Sequence, residues 1–195
     1  MVRNANPPTV SLPFETIPRD EPRYPARLRE RLGAAAPSNL TALGNLDLLA
    51  LPKTALFCSA RCPGHVILRA YDQAAKWRDE GRCVISGFHS PVEKECLRIL
   101  LRGTSPIIIC PARALPKRAP ADWQKPLDDG RLLILSEFNE TKTRITADLA
   151  RRRNELVAAL ADEAIIIHAT PGGNIAQLSE QFQQWSVRVV RVVGG

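Results

Sequence analysis

The residues whose types and spacing suit chemistry fall into three groups, and the chemistry they share is anion binding. The first group lies in VISGFHSPVEKECLRILL, residues 84–101. A run of β-formers meets Ser86-Gly87, then a short polar turn, then an amphipathic stretch. That strand, loop and helix order builds phosphate sites in α/β folds. Ser90 and Glu93 have capping-box spacing, and Pro91 holds the first helical position, so Ser90 caps its own helix. Two readings of the loop stay open. Gly87 supplies a positive φ or admits a ligand while free N–H groups take an anion, or the loop is a plain turn. No full G-x-G-x-x-G is present to decide between them.

The second group is TPGGN, residues 170–174. Its two glycines let backbone approach a ligand, and Asn174 is placed to cap the helix that follows. A capped tight turn is the alternative. The third group is basic. Arg113, Lys117, Arg118 and Lys125 line a proline-rich stretch as a phosphate-tracking edge. Arg151, Arg152 and Arg153 fan around a helix, so that one can face the strand ends while the others face water. His89 and His168 also follow strands, and their plainest readings are a solvent-facing and a half-buried side chain. No convincing nucleophile–base pair stands among these residues.

Bulk properties narrow the classes. The chain has 195 residues, 45% of them hydrophobic, enough for one substantial α/β domain or for a domain with an extension. The formal net charge of +7 favours anionic partners. Aromatics are only 5%, which counts against a surface built mainly of base-stacking platforms. No apolar run reaches the roughly 20 residues of a membrane span, and no signal-peptide pattern opens the chain, so a cytoplasmic location is expected. Cys58, Cys83 and Cys110 sit in apolar runs as small hydrophobes of a reducing compartment. Cys58 and Cys62 lack a second pair at zinc spacing, so neither metal nor cofactor is expected.

The elements that must position these residues alternate regularly. Residues 1–22 are rich in proline and read as a loose arm. Residues 23–50 form a helical lead-in, with Leu28 and Leu32 on one helix face and a turn at Gly44-Asn45. From 51 to 195 strands and helices alternate: TALFCSA, CVISG, PIIIC, RLLILSE, EAIIIHA and SVRVVRVV as strands, with helices after most of them. Near-continuous apolar strands suit a sheet covered on both faces. The expected fold is a Rossmann-like, doubly wound, mostly parallel α/β sheet with helices on both faces. Ligands of such sheets bind outside the carboxyl ends of the strands, where all three groups lie.

With these loops in hand, the sequence resembles the DNA-processing protein A (DprA/Smf) family from about Tyr24 onward. CSARCPG is similar to the family's Gly-Ser-Arg turn, with Arg61 at the arginine. Ser86 and Gly87 match its Ser-Gly segment, and Ser136-Glu137 its Ser-Glu turn. Arg153 and Asn154 match its Arg-Asn-Arg helix, with Glu155 at the second arginine. Gly173 matches in its Ser-Gly-Ser turn. The resemblance implies a dimeric protein that does no covalent chemistry. Such a protein binds single-stranded DNA in a basic pocket at the strand ends and delivers it to a RecA-type recombinase. The implied phosphate-binding residues are Arg61, Ser86, Gly87, Arg153, Asn154 and Gly173, with Arg113, Lys117 and Arg118 extending the path.

Pro171, Gly172 and Gly173 also match part of the motif of the related "lonely guy" phosphoribohydrolases. There Ser179 takes the place of the expected Glu, and Glu180 stands one residue late, pointing about 100° away on a helix. A nucleotide-binding protein or nucleotide phosphoribohydrolase is therefore the alternative, and a sensing or protein-interaction module on the same fold a third class.

Overall fold

The computed structural model describes residues 14–116 and 118–191. Lys117 and the first thirteen residues of the arm lie outside them. Six parallel strands form the centre of the sheet: β3 (Lys53–Cys58), β4 (Cys83–Ser86), β5 (Ile107–Ile109), β6 (Leu132–Ser136), β7 (Glu163–His168) and β8 (Arg188–Arg191). They lie in the order β6-β5-β4-β3-β7-β8. Order reverses at β3, whose neighbours are β4 on one side and β7 on the other. That reversal opens a crevice between the loops after these strands.

Adjacent residues of each strand face opposite helical layers, as the two-residue period requires. Ile108, Leu133 and Leu135 pack beneath α1 (Ala26–Leu32), α5 (Ala147–Leu160) and α6 (Asn174–Gln184). Ile107, Ile109, Leu132 and Ile134 pack beneath α2 (Gly64–Asp79), α3 (Pro91–Leu101) and α4 (Ala121–Asp128). The expected doubly wound, mostly parallel sheet is thus present, and its continuous apolar runs follow from burial on both faces.

Two strands depart from expectation. Glu15–Pro18 forms β1, and Asn39–Gly44 forms β2; they pair antiparallel with each other, and β2 pairs antiparallel with β6. The end of the expected loose arm is therefore an edge strand, and the helical lead-in contains a strand. Burial explains both: Ile17 and Leu40 are fully buried in the α1 layer, while Thr16 and Thr41 face the other way. Pro18 is tolerated because it ends a strand at the sheet edge. The proline-rich connection also holds a short helix, α4, with Pro126 inside it.

Basic side chains fix the lead-in to the core. Arg31 donates from Nη1 to the carbonyls of Ala159 (3.0 Å) and Ala161 (2.7 Å) and stacks over Trp185, so one guanidinium caps the carboxyl end of α5. Part of the positive charge is therefore structural.

Candidate functional site

A crevice of about 280 Å3 opens at the point where strand order reverses. Its walls are the loop after β3, including Arg61, the loop after β4, including His89 and Ser90, the turn after β7, and Arg153 and Asn154 of α5. The structure therefore brings together Arg61, Arg153, Asn154 and Gly173 from three separate segments, while Gly87 packs directly against Arg153.

Arg153 is the central feature. It is 5% exposed, and its Nε donates to Asn154 Oδ1 at 2.8 Å. Nη1 points at the Cys110 carbonyl, 3.4 Å away, at the end of β5. Burial lowers the guanidinium pKa, with the nearby Glu93 carboxylate acting the other way. An arginine remains charged even so. The charge is thus held away from solvent at the strand ends, where an arriving anion interacts with it in a medium less polarisable than water. Its neighbours divide as the helical fan requires. Arg151 pairs with Asp148 and Glu155, and Arg152 pairs with Glu137 and lies over the Phe138 ring.

The loop after β4 answers the question its sequence raised. Glu93 completes the expected capping box with Ser90. The carboxylate goes further: Oε2 accepts from the N–H groups of His89 (2.8 Å) and Ser90 (3.2 Å), and Oε1 from that of Cys58 (2.8 Å). The chain's own carboxylate fills this nest, so the amino end of α3 does not offer its N–H groups to an outside anion. Ser86 is buried, donates to the Leu56 carbonyl at 2.8 Å and accepts from Phe88 N–H. Its hydroxyl ties the strand ends together and does not face the crevice. Ser136 repeats the arrangement on β6, donating to the Arg113 carbonyl and accepting from Phe138 N–H.

Gly87 also differs from expectation. The left-handed backbone belongs to Phe88, at φ 46°, whose ring is buried. What requires glycine at 87 is Arg153, whose guanidinium occupies the space a Cβ would take.

The turn after β7 does present donors. Thr170-Pro171-Gly172-Gly173 closes with Gly173 N–H donating to the Thr170 carbonyl at 3.0 Å, and Gly172 has φ 69°. Proline followed by a positive-φ glycine defines a type II turn. Gly173 is the N-cap of α6 and provides no side-chain cap; Asn174, expected as the cap, is the first helical residue. Its opening N–H groups face the crevice without a capping side chain, beside Arg153 and the exposed Arg61.

His89 stands exposed at the rim, its pKa lowered by desolvation of the ring and then by the charge of Arg153. His168 is half-buried at the end of β7. Arg113 and Arg118 are exposed in the loop after β5, and neither lines the crevice; Arg113 borders a separate groove. Glu180 is exposed on α6 and does not line the crevice. The part played by Glu93 escaped the sequence reading, since capping-box spacing says nothing about Cys58.

A six-strand parallel sheet with an antiparallel extension and a crevice lined by arginines at its switch point defines an α/β protein of the Rossmann type. Residues 15–185 match the family described as DNA recombination-mediator protein A, and the chain belongs to that family. Among solved structures it is similar to DNA processing protein A (DprA) from Streptococcus pneumoniae, with TM-score 0.77 and 21% identity over 93% of this chain. The chain spans 64% of that protein. It is also similar to DNA processing protein A from Helicobacter pylori, whose single-stranded DNA binding mode has been described, with TM-score 0.71 and 20% identity, covering 92% of this chain and 80% of that one. A molybdenum cofactor binding protein from Rippkaea orientalis aligns at TM-score 0.51 and 11% identity, covering 72% of this chain and 75% of that one. At these identities the likeness is one of fold. No curated protein matches in sequence.

Proposed function

We propose that this protein binds single-stranded DNA in DNA processing, uptake or recombination, and that it seats a backbone phosphate in the crevice between β3, β4 and β7. The observation that carries the reading is the buried guanidinium of Arg153, set opposite the uncapped amino end of α6 and beside Arg61. A phosphate accepts charge-assisted hydrogen bonds from arginine and from helix N–H groups together, which matches this donor set. Arg61, being exposed, closes over the phosphate from the solvent side. Asn154 orients Arg153, while Gly87 and Ser86 act by shaping the strand ends. Arg113 and Arg118, with Lys117, extend the positive edge for neighbouring phosphates. Family membership and the likeness to two DNA processing proteins support this reading.

The same reading makes the protein a binder without covalent chemistry. Glu93 is the carboxylate lining the crevice, and both its oxygens already accept backbone hydrogen bonds, while Glu180 lies elsewhere. A phosphoribohydrolase needs a free carboxyl group at the reacting centre. Delivery of the strand to a RecA-type recombinase by a homodimer, in the cytoplasm, completes the proposal on the strength of the family resemblance. No helix among the described residues is long and apolar enough to cross a membrane.

Fluorescence anisotropy with labelled oligo-dT, competed by duplex DNA and by nucleoside monophosphates, tests the reading. Oligo-dT is expected to bind and to resist competition by monophosphates, with no free base released from them. Tighter binding of monophosphate than of oligo-dT, or release of base, would move the protein to the nucleotide class.

A further inference from the structure

Beyond β6 the sheet loses its cover on one face. β1 and β2 bury Ile17, Leu40 and Ala42 beneath the α1 layer, so Thr16, Asn39 and Thr41 point to the opposite side. There α4 reaches only the Gly44 end, through Leu127. The rest of that face floors a groove of about 540 Å3, walled by the loop after β5 and by residues 138–143. Phe14 stands at its side with 42% of its surface exposed, and Leu115 and Pro116 add apolar wall. Phe138 also borders the groove but is 4% exposed, with its ring under Arg152, so among the described residues the exposed ring at the groove is that of Phe14.

We propose that this groove receives an unpaired nucleobase of the strand whose phosphate sits in the crevice. The inference rests on the function proposed above and adds a base-binding subsite to it. Two features select the occupant. The first is composition. A base has two flat π-faces and an edge of mixed donors and acceptors. The groove offers an exposed aromatic ring over a floor of two hydroxyls and an amide, each able to donate and accept. The second is continuity. The Cys110 carbonyl lies against Arg153 Nη1, and three residues later Arg113 lines the groove. Three residues span at most about 11 Å, so one loop joins the two sites. Arg113 is then placed to meet the phosphate between them. Such stacking tolerates any base, so the groove adds affinity without sequence preference.

The test compares labelled oligo-dT with an oligomer of equal length whose thymines are replaced by abasic tetrahydrofuran units. The two carry the same phosphates. The full chain is expected to bind oligo-dT about tenfold more tightly than the abasic strand. Phe14→Ala should bring oligo-dT down to the abasic level while leaving abasic binding unchanged, which also shows that the variant folds. Phe14→Trp should retain the preference. Equal affinity of the parent for both strands, or oligo-dT binding by Phe14→Ala equal to the parent's, would overturn the groove and leave the phosphate crevice standing. If neither strand binds at low salt, the crevice reading falls and the groove falls with it.

Discussion

The guanidinium of Arg153 fills the place a side chain would occupy at Gly87: a Cβ built there would lie 1.5 Å from Nη1 and 2.1 Å from Cζ. Glycine at the end of β4 is thus a condition for the buried charge. Gly87→Ala is expected to expel the guanidinium and to cost about 1–3 kcal/mol of stability, as overpacking does. It should also weaken oligo-dT binding as much as loss of Arg153 itself. Thermal melts and anisotropy titrations of the variant check both effects. A variant of normal stability and affinity would mean that Arg153 has another place to go.

The cysteines should divide sharply in reactivity. Cys83, Cys96 and Cys110 are buried, and burial pushes their thiols up to about 11, 12 and 12. Cys58 is buried and its thiol is raised as well, again by desolvation first. Cys62 alone of the five is partly exposed. A thiol reagent such as Ellman's should therefore label one site in the folded protein and the others only on unfolding. Cys62→Ser should remove the fast phase. Fast labelling of Cys58 or Cys96 would show the α2–α3 layer to be more open than it is here, and fast labelling of Cys83 or Cys110 would show the same of the opposite layer.

The pH dependence of the rim follows from His89. Its folded pKa lies below the ordinary value of 6.5, through ring desolvation and the charge of Arg153. In the window between the lowered value and 6.5 the unfolded chain holds more protons. Its contribution to stability is present above 6.5 and is lost as pH falls through the folded pKa. A phosphate in the crevice offsets Arg153 and raises the His89 pKa, so DNA binding should take up a proton and tighten as pH drops through that window. An NMR titration of His89 with and without oligo-dT reads this directly. An upward shift on binding is expected; an unchanged pKa would place the phosphate elsewhere.

The parallel half of the fold was legible because its strands are unbroken apolar runs such as Ile107–Ile109, and such runs have few alternatives to a twice-covered sheet. β1 and β2 were hidden for opposite reasons. Glu15–Pro18 is four residues in a proline-rich stretch, and its one fully buried side chain, Ile17, finds its partners only when β2 is in place. Asn39–Gly44 belongs to a leucine-spaced segment that local pattern assigns to a helical lead-in, until pairing with β6 decides. Pro126 masked α4, since an interior proline normally argues against a helix. In the site, the residues were readable but their roles were not. Arg153 crosses from α5 to the end of β4, and Glu93 reaches from α3 to Cys58, contacts between segments far apart in sequence. The α6 cap shifted by one residue, from Asn174 to Gly173, and that single step leaves the helix end open.

The central claim, that Arg153 holds a DNA phosphate, is tested most directly by titrating labelled oligo-dT at several salt concentrations against the parent, Arg153→Ala and Arg151→Ala. The parent should weaken steeply with salt, each neutralised phosphate adding about −0.7 to the log–log slope. Arg153→Ala should lose about 1–3 kcal/mol of binding, the worth of a charge-assisted contact, and its slope should become shallower by about one phosphate. Arg151, which pairs with Asp148 and Glu155 on the outer face of α5, should be dispensable. Equal affinity and equal slope for all three proteins, or no binding by the parent at low salt, would contradict the account.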